Sequence, residues 1–149
     1  MADFKAAHTK SAKNEGGYAN VKNDPGGETY AGITMRDFPK WQGWAKIAKY
    51  KPLKHNQILS DPAIVADVAN FYKSNFWDKI QGDLIRNQKV AEKLSDMAIL
   101  MGINPTIKIL QRALNALNKQ ARLFKDVAVD GAMSATGETL KALNSYGNQ

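Results

Sequence analysis

Ile64, Val65, Val68, Phe71, Tyr72 and Phe76 recur at helical spacing, and a chain that must bury such a stripe folds around packed helices. Ahead of the stripe, Ser60-Asp61-Pro62 supplies an N-cap, an acidic first turn and a proline, all helix-starting signals. Four further helices are expected. Phe4 to Glu15 has a helical composition and stops at Gly16-Gly17. Val90 to Met101 reads as a long helix whose end, Met97-Ala98-Ile99-Leu100-Met101, is apolar all round and is expected at the centre of the core. Gly102 ends it, and Asn104-Pro105 opens another helix with Ile107, Leu110, Leu114 and Leu117 on one face. A loop through Asp130-Gly131 leads to a last helix near Glu138 to Leu143.

Only the stretch from Tyr18 to Thr34 breaks this pattern. Asn23-Asp24-Pro25-Gly26-Gly27 is a strong turn signal, with Pro25 and Gly26 suited to the centre of a type II turn. Thr29 to Thr34 then reads as a short strand, so a small antiparallel hairpin is expected. Arg36 to Leu59, with Trp41, Trp44, Tyr50 and five lysines, gives no clear element. The fold class expected is mainly α with one small β-hairpin near the N-terminus.

The 149 residues suffice for one domain with its own core. With no cysteine, disulfides and thiolate metal sites are excluded. Two histidines, no cysteine and no His-Glu-x-x-His run argue against zinc catalysis, and neither a nucleophile elbow nor a phosphate loop is present. The N-terminus lacks the apolar core of a signal peptide, and no run approaches the ~18 apolar residues of a membrane span. The expectation is a soluble monomer made in the cytoplasm. Its net charge of +7 favours polyanionic partners: nucleic acid, an anionic membrane surface or a cell wall.

Glycoside hydrolysis needs a carboxylic acid that stays protonated to release the leaving oxygen, and a second group that activates water or steadies positive charge. Glu15 is placed for the first role. At the C-terminal end of a helix the dipole disfavours its charge, and the two glycines beyond it would let a substrate approach closely. Asp24, at the hairpin turn, is the better solvated carboxylate for the second role, with Thr29 assisting. Glu28 is a lesser candidate for a second carboxylate. Tyr18, Tyr30, Trp41 and Trp44 offer flat faces to sugar rings, and His8 lies on the same helical face as Glu15. By spacing alone, a glutamate at a helix end is most often merely solvated, and an aspartate before Pro-Gly-Gly is most often a turn former.

Asn14-Glu15-Gly16-Gly17-Tyr18-Ala19-Asn20 and Asp24-Pro25-Gly26-Gly27-Glu28-Thr29-Tyr30-Ala31-Gly32-Ile33-Thr34 shift that balance. Together they resemble the signature of glycoside hydrolase family 108, N-acetylmuramidases found among phage endolysins and related bacterial proteins. Phe71-Tyr72, Phe76-Trp77-Asp78, Asp96, Gly102 and Leu110-Gln111 extend the resemblance over nearly the whole chain. The set is also similar to the glutamate–aspartate–threonine arrangement of phage-type lysozymes, with one residue fewer before the threonine. The resemblance implies a single lysozyme-like domain over residues 1–149. Residues 1–85 would hold the catalytic glutamate, hairpin and aromatic helix; residues 86–149 would form a helical part resembling a small peptidoglycan-binding element. There Ser134 replaces an expected glycine, and Thr139-Leu140 arrives about two residues late.

The function this implies is cleavage of the β-1,4 bond between N-acetylmuramic acid and N-acetylglucosamine in peptidoglycan. Glu15, Asp24 and Thr29 would be catalytic, and Tyr18, Glu28 and Tyr30 substrate-binding. No cofactor, metal, nucleic acid or stable membrane insertion is expected. Such a protein would reach the wall by export, holin release or lysis. Two other readings compete. One is a non-catalytic peptidoglycan binder. The other is a helix-turn-helix DNA-binding module spanning Val90 to Leu117, with Lys108, Arg112 and Lys119 on phosphates.

Overall fold

A computed structural model describes residues 1–12, 16–21, 27–118 and 122–146. Helices α1 (Phe4–Ala12), α2 (Gly43–Ile47), α3 (Pro62–Tyr72), α4 (Gln88–Met101), α5 (Ile103–Leu117) and α6 (Glu138–Tyr146) accompany strands β1 (Tyr18–Asn20), β2 (Glu28–Tyr30) and β3 (Ile33–Thr34). The expected mainly α class is observed, with the small β-hairpin extended to a three-stranded antiparallel sheet. Among the described residues no helix is long and apolar enough to cross a membrane. Two compact units divide the chain: His8–Tyr72, and Met1–Ala7 with Lys73–Gln149.

The sheet belongs to the first unit and has the order β1-β2-β3. Tyr18 pairs with Tyr30 and Asn20 with Glu28; Thr29 pairs with Ala19 on one side and Thr34 on the other. The single strand expected from Thr29 to Thr34 is cut in two at Ala31-Gly32. Both residues take positive φ, +48° and +76°, as a two-residue hairpin turn of matching twist requires. Gly32 makes that turn accessible to an otherwise strand-like run.

Asp61, rather than Ser60, caps α3: its carboxylate accepts from the Ala63 amide at 2.8 Å, with Pro62 as the first helical residue. On this helix, Asp67 is buried and meets Lys46 Nζ at 2.5 Å and Gln42 Nε2 at 2.7 Å. Trp41, Trp44, Phe38 and Phe71 pack edge to face around it, giving form to a stretch with no readable periodicity. At Tyr72 the helix changes pitch into a π turn, Lys73–Trp77, closed by Asp78 N donating to Lys73 O at 2.9 Å. That extra residue leaves Trp77, not the expected Phe76, fully buried.

The second unit is built on α4 and α5. Asn87 Oδ1 caps α4 through the Val90 amide, and Gly102 (φ +90°) separates the two helices. Ile107, Leu110 and Leu114 are buried as expected, but Leu117 is exposed. The apolar end of α4 is not the centre of the core. Only Ala98 is buried there; Leu100 is 82% exposed and Met101 is exposed too. A run apolar on all sides cannot be assigned to a core by composition when one helix face already fills the contact with α5.

Three amides spaced i, i+4 and i+7, two on α5 and the third at its C-cap, tie down the segment that follows. Gln111 Nε2 donates to Asp130 Oδ1, Ala132 O and Thr139 Oγ1, and its Oε1 accepts from Gly131 N. Asn115 exchanges both bonds with the Val127 backbone, and Asn118 holds Leu123, Phe124 and Asp126. Buried amides survive in an interior only when bonded in this way.

Candidate active site

Glu15 and Asp24, the two carboxylates singled out from the sequence, lie outside the described residues. What surrounds them in the chain is described. Helix α1 ends at Ala12, and Gly16 stands beyond the undescribed stretch with φ +72°. Gly17 does not open space for a substrate as expected. A Cβ there would lie 2.5 Å from the carbonyl oxygens of Asn56 and Gln57. The glycine is needed for backbone contact: Tyr18 N donates to Gln57 O and Asn56 N to Tyr18 O, covering the free side of β1.

Tyr72 joins three parts of this unit. Its ring stacks at a tilt on His8 of α1 (centroids 5.6 Å apart), and its hydroxyl donates to the Ala31 carbonyl in the β2–β3 turn at 2.6 Å. The middle of α1, at His8, is thereby linked through Tyr72 to the hairpin carrying Thr29. His8 is half-buried, and desolvation lowers its pKa below the ordinary 6.5. The fold therefore favours neutral imidazole, so this contribution to stability is complete above pH 6.5 and is lost as pH falls through the lowered value. Melting curves from about pH 7.5 to about pH 5 should show a fall in Tm that is shallower in His8→Gln. Equal slopes in the two proteins would rule His8 out as its source.

Residues directly paired across a sheet share a face, and neighbours along a strand do not. The sequence-derived set is therefore split. Thr29 shares its face with Ala19 and Thr34; Tyr18, Glu28 and Tyr30 share the other. These four residues therefore do not all face one side of the sheet. Tyr30 is 4% exposed, and its hydroxyl accepts from Leu59 N at 3.0 Å, so its ring is used in packing rather than offered to a ligand. Trp44 is buried likewise, with its indole donating to Phe38 O, while Trp41 keeps partial exposure. Glu28 is not a solvated carboxylate either. Its Oε1 is inaccessible to solvent and meets Lys51 Nζ at 2.5 Å, outside hydrogen-bond geometry.

On the Thr29 side the structure adds a carboxylate that sequence reasoning passed over. Asp37 accepts from Thr34 Oγ1 at 2.8 Å and from Arg36 Nε at 2.9 Å, while its own amide donates back to Thr34 Oγ1. The Arg36 and Thr34 bonds hold its carboxyl below the usual carboxylate range, so it is ionised at neutral pH. The Thr-x-x-Asp spacing was the available signal. Its first effect is to close the turn after β3, and its second is to set an Arg36–Asp37 ion pair beside Thr34, the partner of Thr29.

In the second unit the Asp130-Gly131 turn borders a groove of about 690 Å³ that also touches Lys125, Asp126, Met133 and Glu138. The Ala132 amide and Gln111 hold the Asp130 carboxyl below its ordinary pKa. A Cβ at Gly131 would lie 2.2 Å from Asn104 Nδ2, which ties the glycine to its position against α5.

Comparisons with known proteins place this geometry. The glycosyl hydrolase 108 family matches residues 9–102, a span that includes Glu15, Asp24 and Thr29. The solved structure of SagA from Brucella abortus is similar, with a TM-score of 0.61 and 28% sequence identity over 94% of this chain and 67% of SagA. No curated protein matches the chain.

Proposed function

The chain belongs to the glycosyl hydrolase 108 family and is a glycoside hydrolase; from that premise we propose that it hydrolyses peptidoglycan at the β-1,4 bond between N-acetylmuramic acid and N-acetylglucosamine. The family match over residues 9–102 carries this reading, because it takes in the whole Glu-Gly-Gly-Tyr to Gly-Ile-Thr block. Membership supports peptidoglycan hydrolysis in general; the bond and the roles below are the proposal.

In this mechanism Glu15, protonated, gives its proton to the glycosidic oxygen as the C1–O bond breaks. Positive charge then develops on the sugar ring, and an ionised carboxylate steadies it or accepts a proton from the attacking water. Asp24 is assigned that role, and Thr29 orients the water through its hydroxyl. Asp37, ionised and paired with Arg36, holds Thr34 of the same face through its carboxylate. The acid and the stabilising carboxylate need unlike environments, since one must keep its proton while the other loses it.

Mass spectrometry of fragments released from purified peptidoglycan tests the bond directly. Muropeptides with N-acetylmuramic acid at the reducing end are expected. Reducing-end N-acetylglucosamine would place the cut at the alternate linkage, and 1,6-anhydromuramic ends would replace water by an internal hydroxyl as nucleophile. Either result overturns the proposed reaction.

A further inference from the structure

We propose that the sheet face opposite Thr29 carries a second glycan site, one that recognises a sugar bearing a carboxylate. A groove of about 690 Å³ opens there, within the usual ~300–1,000 Å³ of small-ligand sites. Tyr18 and Asn20 of β1 form one wall; Lys51, Pro52, Leu53 and His55 form the other. All six belong to the His8–Tyr72 unit.

Its chemistry comes from a cation held in place. Lys51 Nζ sits 2.5 Å from Glu28 Oε1 and 5.9 Å from the Tyr18 ring centroid, and its side chain is 39% exposed. Glu28 is behind it, with Oε1 closed to solvent. The ion pair fixes the ammonium at the groove, and of its three N–H groups those not facing Glu28 are left to meet a ligand. Pro52 and Leu53 give an apolar wall against which a pyranose ring or a methyl group packs. Asn20 and His55, both exposed, supply hydrogen bonds to hydroxyl or acetamido groups. An apolar wall, an amide and one positioned cation select an acidic sugar over a neutral one. Resting on the peptidoglycan reading, the sugar of that class is N-acetylmuramic acid, which differs from N-acetylglucosamine by its lactyl carboxylate.

Two-dimensional amide NMR of the full chain, titrated separately with N-acetylmuramic acid, N-acetylglucosamine and D-lactate, tests this. N-acetylmuramic acid should shift the Tyr18, Asn20, Leu53 and His55 amides, with the other two probes at least about tenfold weaker there. Lys51→Met alone would leave Glu28 buried without a countercharge, so the informative variant is Lys51→Met with Glu28→Gln, which removes both charges together. It should bind the acidic and neutral sugars equally. His55→Ala, which leaves the ion pair untouched, should weaken both sugars and keep the preference. Equal shifts from the two sugars in the wild type, shifts elsewhere only, or a preference that survives the double substitution would each overturn the second site. Peptidoglycan release by the same wild-type sample separates the two ideas. Release without these shifts sinks the site alone, and shifts without release sink the proposed hydrolysis alone.

Discussion

Replacing Glu15 by glutamine is expected to slow peptidoglycan hydrolysis on the order of 10³-fold while wall binding persists. Glutamine keeps the length and polarity of the side chain but has no carboxylic proton to give. The leaving oxygen must then depart as a poorly stabilised alkoxide, and the general-acid contribution is lost. Glu15→Asp should fall between the two. It keeps the acid but draws it back by one methylene, and catalytic groups displaced by ~1 Å lose on the order of 10²-fold. The site's scaffold is already described on both flanks of this residue. His8 is stacked on Tyr72, Tyr72 is bonded to the Ala31 carbonyl, and Gly17 is pressed against the 56–57 backbone. Single-turnover rates on purified sacculi, with pull-down of the same sacculi as the binding control, would measure both halves. Unchanged rates in Glu15→Gln would move the acid elsewhere, and loss of binding as well would point to a folding defect instead.

How much of this was legible in the sequence depends on the range of the forces involved. The Ser60-Asp61-Pro62 start and the Ile107, Leu110, Leu114 stripe are local signals, and each produced the element it announced. Ala31-Gly32 was also local, yet β-propensity on both sides masked the turn. The π turn at Lys73–Trp77 has no composition of its own, and it moved burial from Phe76 to Trp77 by one residue. Leu100 misled because apolarity says what a residue would gain from burial, not whether a neighbour arrives to cover it.

For the candidate site, the splitting of Thr29 from Glu28 and Tyr30 was legible in principle. Three consecutive residues of one strand do not all face one side of the sheet, whatever their chemistry. Lys51 was not legible. Its meeting with Glu28 spans 23 positions of the sequence and depends on how a stretch without periodicity folds back across the sheet. Gln111, Asn115 and Asn118 fall between these cases. Their i, i+4, i+7 spacing marks a polar stripe on α5 and its C-cap, but only the bonds to residues 123–132 and 139 show that the stripe faces inward.

The second large effect expected is on stability, at Gly82 and Trp77. Trp77 is fully buried; its indole donates to Asp83 Oδ1 at 2.7 Å and meets Phe4 edge to face at 5.7 Å. Gly82 lies flat against it, so that a Cβ would fall 2.2 Å from Cε2 and 2.3 Å from Cδ2 of the ring. An indole is rigid, and this one is held by its N–H and by its neighbours, so it cannot turn aside. Gly82→Ala should therefore cost about 3 kcal/mol, the upper part of the range for overpacked cores. Trp77→Ala, which removes a fully buried indole and orphans the Asp83 contact, should cost about 3–5 kcal/mol. At the usual scale of ~2–4 °C per kcal/mol for a chain of this size, both losses are visible by calorimetry. The decisive quantity is the coupling between them. Once Trp77 is Leu, the ring that blocks Cβ is gone, and Gly82→Ala should become nearly neutral. If Gly82→Ala costs the same with and without the indole, its effect comes from backbone conformation, and the steric account of this glycine is wrong.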